Sequence, residues 1–231
     1  MQVSVIIPAL NEATNLPSLI TAVRQAQMPG DTLQIIVVDN GSTDETGAVA
    51  QQAGALVVAE PRRGYGFACA AGVQAAQTAD ILVFLDGDHS FDPAEIPALL
   101  APMRQGEADL VLGSRLLSKT ESTMLPHQQF GNWLTARLMH RLYGLAVTDL
   151  GPYRAIRASL LAALQMQEMT FGWPTEMMVK AARHGASIVE IPVSYRNRQA
   201  GRSKVSGTLR GSLLAGYYIL RTTIKYTNYS F

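Results

Sequence analysis

The strongest constraint on the fold is a repeated alternation between short apolar runs and segments with helical spacing. Runs rich in Val, Ile and Leu occur at residues 3–7, 34–38, 56–59, 81–85 and 110–112. Apolar residues with helical spacing fill the intervals, at residues 16–27, 44–53, 67–77 and 94–104. Buried parallel strands have continuous apolar sequences, and strands that alternate with helices build a doubly wound sheet. We therefore predict an α/β fold with a mostly parallel sheet flanked by helices.

The second half of the chain has a different pattern. Helices are predicted at residues 132–143, 158–164 and 175–184, with a C-terminal amphipathic helix within 205–231. One strand is predicted at 187–195, where Pro192 indicates a sheet edge or a bulge, and no other strand is predicted after residue 115. Because 231 residues suffice for one core but are few for two large domains, we expect a single domain over 1–231.

Composition excludes several classes of protein. With 48% hydrophobic and 16% charged residues the chain should fold, and its net charge of +1, without basic residues interleaved with aromatics, argues against nucleic-acid binding. The single cysteine, Cys69, cannot form an intramolecular disulfide, which fits the cytosolic side of a membrane. We expect no signal peptide and no transmembrane helix, since a bilayer core requires about 20 apolar residues.

Polar side chains follow three of the predicted strands, where ligands of open α/β sheets bind. Four of them are carboxylates: Glu12, Asp39, Asp86 and Asp88. Like charges at one sheet edge repel each other unless a cation lies among them, and a glycine between Asp86 and Asp88 allows close backbone approach. We expect Mg2+ or Mn2+ bound through oxygen ligands. The alternative, a turn that caps the helix near Pro93, is less favoured at the end of a buried strand.

Six segments in order carry a resemblance to a known family. They are VIIPALNE (5–12), IVVDNGSTD (36–44), DGD (86–88), GSR (113–115), DLGPYR (149–154) and GRSK (201–204). Together they resemble the family 2 glycosyltransferases, in particular the branch of dolichyl-phosphate mannose synthase and polyprenyl-phosphate glycosyltransferases. The resemblance implies a GT-A fold with a nucleotide-binding half at 1–115 and an acceptor half at 116–204. It also implies metal-dependent, inverting transfer of a sugar from a UDP- or GDP-linked donor.

The resemblance also implies roles for individual residues. Ten are expected around the nucleotide-sugar: Pro8, Leu10, Glu12, Val37, Asp39, Asp86, Gly87, Asp88, Arg198 and Lys204. Among them Val37 and Asp39 should meet the base or ribose, and Arg198 and Lys204 should close over the diphosphate. Asp88 is the expected direct metal ligand, with Asp86 and with Ser90, where lipid-phosphate members often have Gln.

Catalytic roles are expected for Asp149, Arg115 and Lys204. An ionised lipid phosphate needs no strong base, whereas a hydroxyl acceptor does, and Asp149 and Glu176 are the two candidate bases. Arg115 is expected to bind a phosphate, and Arg154 to support Asp149 through an ion pair. The sequence HQQFGN at 127–132 lacks the basic residues that lipid-phosphate synthases carry there, so lipid-phosphate and hydroxyl acceptors both remain open. A catalytically silent nucleotide-sugar-binding protein is the remaining alternative.

The C-terminal helix favours a membrane surface. At about 100° per residue one stripe is formed by Leu209, Leu213, Tyr217, Leu220 and Ile224, and Arg210, Arg221 and Lys225 lie beside it. Interfacial helices have this composition, and a helix packed on the body of the enzyme is the alternative. The chain is thus expected to be cytoplasmic, with attachment to the cytoplasmic membrane face or to a membrane-protein partner as an open possibility.

Overall fold

The computed structural model describes residues 1–118, 124, 126–198 and 209–227, with only the backbone for His127 and residues 209–213. Seven strands form one sheet: β1 (Gln2–Ala9), β2 (Thr32–Asp39), β3 (Leu56–Ala59), β4 (Ile81–Phe84), β5 (Leu110–Ser114), β6 (Arg154–Arg157) and β7 (Ile188–Pro192). The helices are α1 (Leu16–Gln25), α2 (Thr46–Gln52), α3 (Tyr65–Ala75), α4 (Ile96–Arg104), α5 (Pro126–Tyr143), α6 (Ala158–Leu164), α7 (Trp173–Arg183) and α8 (Leu209–Lys225). A 3-10 turn, Pro93–Glu95, precedes α4.

The strand order is β3-β2-β1-β4-β6-β5-β7, with every pair parallel except the two that β6 makes. This confirms the predicted α/β class and the mostly parallel sheet. The predicted absence of further strands between 116 and 186 is wrong, because β6 lies antiparallel between β4 and β5. Its sequence, RAIR, has only two apolar residues, too few for a recognisable strand pattern. β7 lies at the sheet edge, as Pro192 indicated.

Two apolar layers cover the two faces of the sheet. One joins α1 and α4 to side chains such as Val5 and Ile7 of β1, and the other joins α3, α6 and α7 to the opposite face of the same strand at Ile6. On α3, Gly72 lets the backbone lie against β1, since a Cβ there would be 2.4 Å from Ile6 Cγ2. The small residues of α3 thus serve close packing.

The C-terminal helix α8 is fastened to the body of the enzyme by buried polar contacts. The Tyr226 hydroxyl donates a hydrogen bond to Glu176 of α7, whose carboxylate also pairs with Lys180 at 2.9 Å. All three side chains are at most 1% exposed. Tyr143 of α5 donates to the Thr223 carbonyl of α8. Among the described residues, no helix has both the length and the apolar character needed to cross a bilayer.

Candidate active site

The carboxyl ends of β1 and β4 bring two predicted segments together. These strands are neighbours, so residues 8–12 lie beside the turn at Asp86, Gly87 and Asp88. A Cβ added to Gly87 would be 3.5 Å from the Pro8 carbonyl oxygen and 3.6 Å from Glu12 Cγ. These are ordinary van der Waals distances, so contacts within the protein do not require the glycine that the sequence analysis linked to close backbone approach.

Arg198 bridges two of the predicted carboxylates. Its Nη2 atom lies 2.7 Å from Asp88 Oδ2, and Nη1 lies 3.5 Å from Glu12 Oε1. Arg198 comes from the segment after β7, far along the chain, and its side chain is 22% exposed. The sequence placed Arg198 near the diphosphate but gave no sign of this pairing, which depends on the return of a distant loop. Glu12 and Asp88 therefore both interact with a positively charged group.

Asp86 interacts electrostatically with these groups and with Arg115. Burial raises the pKa of Asp86 to about 7, and repulsion from Asp88 adds to the rise, while Arg115 and Arg198 oppose it. Ser90, itself 5% exposed, follows in the same turn, and its backbone N–H donates to Asp88 Oδ1. A cation near Asp86 and Asp88 would relieve the electrostatic cost of holding both ionised.

The donor set at this turn fits a hard divalent cation only in part. Within the described residues, no group of three Asp, Glu, His or Cys side chains converges on one point. Mg2+ commonly binds through one or two carboxylates and takes its remaining ligands from water and substrate phosphates. Asp86 and Asp88 supply such a partial set, and Arg198 occupies the same electrostatic position.

Two residues with left-handed backbone conformations flank the carboxylates. Asn11 has φ 53° directly before Glu12, and His89 has φ 61° directly after Asp88. Asn11 Oδ1 accepts a hydrogen bond from the Thr43 N–H, and its own N–H donates to Ser42 Oγ, so it ties the loop after β1 to the loop after β2. Such conformations cluster at functional sites, where surrounding contacts stabilise them.

The remaining predicted donor residues surround the end of β2. Asp39 is partly exposed, and its Oδ1 accepts the Ser42 N–H, while Pro8 and Leu10 are also partly exposed nearby. Val37 is fully buried in the core beneath Asp39. The predicted contact of Val37 with the base or ribose is therefore corrected. Its side chain offers no surface to a ligand and instead supports the end of β2. Lys204 lies outside the described residues.

Arg115 and Asp149 form a nearly buried bidentate pair. Arg115 donates to Asp149 through its backbone N–H at 2.9 Å, through Nε at 2.7 Å and through Nη2 at 2.7 Å. The Asp149 side chain is 0% exposed. The predicted ion pair of Asp149 with Arg154 is wrong, because Arg154 instead donates to carbonyl oxygens of Pro174 and Gly151.

Glu176, the alternative base, is not part of this site. Its carboxylate accepts the N–H groups of Gln167 and Glu168 and pairs with Lys180 within the α7–α8 contact. A catalytic role for Glu176 is thus wrong, because every atom of its side chain is enclosed by structural partners.

Two residues that the sequence did not single out hold the loop of Asp149. Asn132 of α5 donates from Nδ2 to the Thr148 carbonyl and accepts the Leu150 N–H, so it spans Asp149. Glu190 of β7 accepts the N–H groups of Thr148 and Asp149, and burial raises the pKa of its carboxyl. Asn132 is the last residue of the HQQFGN segment noted in the sequence, whereas no sequence signal marks Glu190.

A cavity of about 400 Å3 connects Asp86 and Arg115 with the helices α5 and α8. Tyr195 lies beside its polar end, where its ring is 5.1 Å from the Arg115 guanidinium carbon. The other walls are mainly apolar, with side chains that include Leu134, Leu150, Phe171, Ile219 and Leu220, and α5 also contributes the polar Gln128, Asn132 and Thr135. The cavity therefore has one charged end and one apolar end.

Comparison with known proteins shows similarity over most of the chain. Residues 4–164 match the sequence model of Glycosyl transferase family 2. The chain is 40% identical over 214 residues to an uncharacterized glycosyltransferase of Mycobacterium tuberculosis strain H37Rv, which covers 92% of this chain and 94% of that protein. It is 33% identical over 232 residues to the undecaprenyl-phosphate mannosyltransferase of Micrococcus luteus, with 91% and 90% covered.

The fold also matches a solved structure. Glucosyl-3-phosphoglycerate synthase from Mycobacterium tuberculosis, crystallised with Mn2+, UDP-glucose and phosphoglyceric acid, superposes with a TM-score of 0.76. The match covers 100% of this chain and 81% of that chain, at 25% identity. The sheet and helices described above therefore have the GT-A architecture of that enzyme.

Proposed function

This chain belongs to glycosyl transferase family 2, and from that premise we propose that it transfers a sugar, with inversion, from a UDP- or GDP-linked donor to a polyprenyl phosphate. The observation that carries the acceptor class is the cavity with one charged and one apolar end. A polyprenyl phosphate has the same two-part chemistry. The mannosyltransferase relative from Micrococcus luteus, named for undecaprenyl phosphate, supports the same acceptor.

The donor is proposed to bind at the carboxyl ends of β1, β2 and β4. Asp39 would meet the base or ribose, and Pro8, Leu10 and Glu12 would line the nucleotide. Asp86 and Asp88, with Ser90 nearby, are the proposed holders of Mg2+ or Mn2+. When bound, such an ion would neutralise charge on the diphosphate. Arg198 and Lys204 would add positive charge as the leaving group departs.

The acceptor phosphate is proposed to bind near Arg115 and Asp86. The guanidinium of Arg115 is a cationic group at the polar end of the cavity. Its two hydrogen bonds to the Asp149 carboxylate fix its orientation. Because both Asp149 oxygens already accept hydrogen bonds from Arg115, we assign Asp149 a positioning role and no longer that of the base. The apolar chain would extend between Leu134 of α5 and Ile219 of α8.

The reaction then needs no proton transfer from the acceptor. A polyprenyl phosphate is ionised at neutral pH, since the second phosphate pKa is about 6. One of its oxygens forms a bond to the anomeric carbon while the bond from that carbon to the donor diphosphate breaks. The nucleoside diphosphate leaves with the electron pair of the broken bond, and the configuration at the anomeric carbon is inverted. This chain contributes alignment and positive charge around the departing group.

The test is a transfer assay on the purified protein with UDP- and GDP-sugars, in Mn2+ and in chelator. Acceptors should include a polyprenyl phosphate, the matching polyprenol and a soluble sugar. We expect metal-dependent transfer to the phosphate only. Transfer to the polyprenol or sugar would replace the proposal with a hydroxyl-acceptor enzyme, and donor binding without any turnover would indicate a silent nucleotide-sugar-binding protein.

A variant pair tests the cavity itself. Ile219→Trp fills the apolar end and should raise KM for a long-chain polyprenyl phosphate at least tenfold, with little change for a short-chain phosphate. Leu56→Trp, on the exposed edge strand β3 and outside the cavity, is the control and should behave like the parent protein. Equal effects of the two substitutions would remove the cavity from the acceptor site.

A further inference from the structure

Exposed apolar side chains are concentrated on α5 and α8. Of eight large hydrophobic side chains exposed in the described part of the chain, five lie on these two helices: Phe130, Trp133, Leu214, Tyr217 and Ile224. Their exposed fractions range from 44% for Leu214 to 62% for Phe130. Single exposed apolar residues are ordinary, but a cluster of this kind marks an interaction surface.

Helical spacing gathers these side chains into one stripe on each helix. On α5, Phe130, Trp133 and Arg137 recur at intervals of three and four, with rings 5.9 Å apart and the Arg137 guanidinium 6.0 Å from the Trp133 ring. On α8 the corresponding stripe consists of Leu214, Tyr217, Arg221, Ile224 and Lys225, all exposed. Aromatic and basic residues thus share the exposed face of each helix.

The charge of this surface has one sign. Neither α5 nor α8 contains an Asp or Glu residue, whereas Arg137, Arg141, Arg221 and Lys225 are exposed along them. A surface of apolar and basic side chains complements a partner with an apolar interior and an anionic exterior. An anionic lipid bilayer has that structure, and amphipathic helices with basic polar faces bind it. A second copy of this chain would present the same positive charge.

The stripes border the mouth of the cavity. Phe130 and Trp133 are neighbours in the chain of the cavity-lining Gly131 and Leu134, and Leu214 and Tyr217 are neighbours of Ala215 and Gly216. We propose that α5 and α8 together form a docking surface for an anionic bilayer, placed so that the apolar chain of an acceptor passes from the bilayer into the cavity. The membrane contact stands by itself, whereas the passage of the acceptor rests on the proposed function.

The structure changes the earlier expectation for α8. Leu220, predicted on the membrane stripe, lines the cavity instead, while Tyr217 and Ile224 are exposed as expected. The side chains of Leu209 and Leu213 lie outside the described residues. The contribution of α5 was not predicted, because a helical pattern alone does not show which of its faces another helix covers.

The test uses the full chain and vesicles without any polyprenyl phosphate. We expect sedimentation with phosphatidylglycerol vesicles and at least tenfold weaker binding to phosphatidylcholine vesicles, since each basic side chain near an anionic surface is worth roughly fivefold in affinity. Phe130→Ser with Trp133→Ser should weaken binding at least tenfold, and Arg137→Gln with Arg221→Gln should do the same. Leu56→Ser, at the exposed edge strand β3, is the matched control and should bind within twofold of the parent.

Fluorescence supplies a second readout. The chain has two tryptophans, and Trp173 is only 3% exposed, so a blue shift on adding vesicles reports on Trp133. The shift should disappear in Trp133→Phe. Absence of binding to anionic vesicles, or binding that the helix variants leave unchanged, would overturn the proposal. The proposal would also be overturned if sedimentation velocity showed a dimer that the same variants dissociate. Transfer to detergent-dispersed acceptor, measured in parallel, distinguishes failed docking from a wrong acceptor class.

Discussion

Asp149 and Arg115 are coupled more tightly than any other pair at the site. Asp149→Asn keeps the shape of the side chain but leaves Arg115 without its bidentate partner in a nearly buried position. Removing one member of a buried pair costs about 3 kcal/mol. We therefore expect a lower free energy of unfolding in urea and a large loss of kcat/KM for the acceptor at temperatures where the variant is folded.

A more exposed pair provides the control for this substitution. Asp109 pairs with Arg157, and both side chains are at least 35% exposed. Asp109→Asn should cost less than about 1 kcal/mol. If Asp149 acted as a base, the parent enzyme would show a rate that rises with pH through a single ionisation, and Asp149→Asn would abolish that rise without loss of stability. That result would contradict the positioning role.

Arg198 competes with a cation for Asp88. Its guanidinium is 2.7 Å from Asp88 Oδ2, so a divalent ion that binds this carboxylate must displace it or share its charge. Arg198→Ala should bind Mn2+ several-fold more tightly without nucleotide, measured by calorimetry, and bind the nucleoside diphosphate more weakly. Asp88→Asn should lose Mn2+ binding.

Arg196 offers the matched control for Arg198. It is two residues away, with a side chain 72% exposed and a distant 3.7 Å contact to Asp92. Arg196→Ala should leave Mn2+ affinity unchanged. An equal change in both variants would mean that Mn2+ responds to overall charge and not to the pair at Asp88.

At the scale of elements, one buried hydroxyl contributes to the attachment of α8. Tyr226 donates to the Glu176 carboxylate between α7 and α8, and a hydrogen bond to a charged group contributes about 1.5–3 kcal/mol. Tyr226→Phe should lower the free energy of unfolding by roughly that amount. Amide exchange should accelerate in α8 first, while the β1 amides keep their protection. Tyr217→Phe, on the exposed face, should change neither quantity, and acceleration spread evenly over the chain would contradict a local role.

The elements also show what a sequence can and cannot predict. The strands that lead to Glu12, Asp39 and Asp86 were predictable, because parallel strands have continuous apolar runs and ligands bind at their carboxyl ends. The family resemblance carried by six motifs is confirmed. The strand β6 was missed because its two arginines find partners only in the folded chain, where Arg154 donates to the Pro174 and Gly151 carbonyl oxygens.

The arrangement of the candidate site depends on contacts between distant parts of the chain. Arg198 reaches Asp88 across 110 positions, and Glu190 reaches Asp149 across 41. Neither contact can be recognised from the neighbouring sequence. An arginine in an exposed loop and a glutamate in a strand are both ordinary features, and neither indicates a distant partner. Residue types at strand ends were thus predictable, whereas their partners were not.

For the whole molecule, Cys69 provides a reporter of the global transition. It is fully buried on α3 between the helix and the sheet, and burial raises the pKa of its thiol far above the ordinary value. A buried, protonated thiol is a poor nucleophile. In native buffer we expect almost no reaction with a thiol-specific reagent over hours, with a labelling midpoint in urea that coincides with the loss of helical circular dichroism. Cys69→Ser gives the background signal. Fast labelling in native buffer, or labelling well before the loss of helix, would show that α3 detaches from the sheet independently, against the single domain expected for this chain.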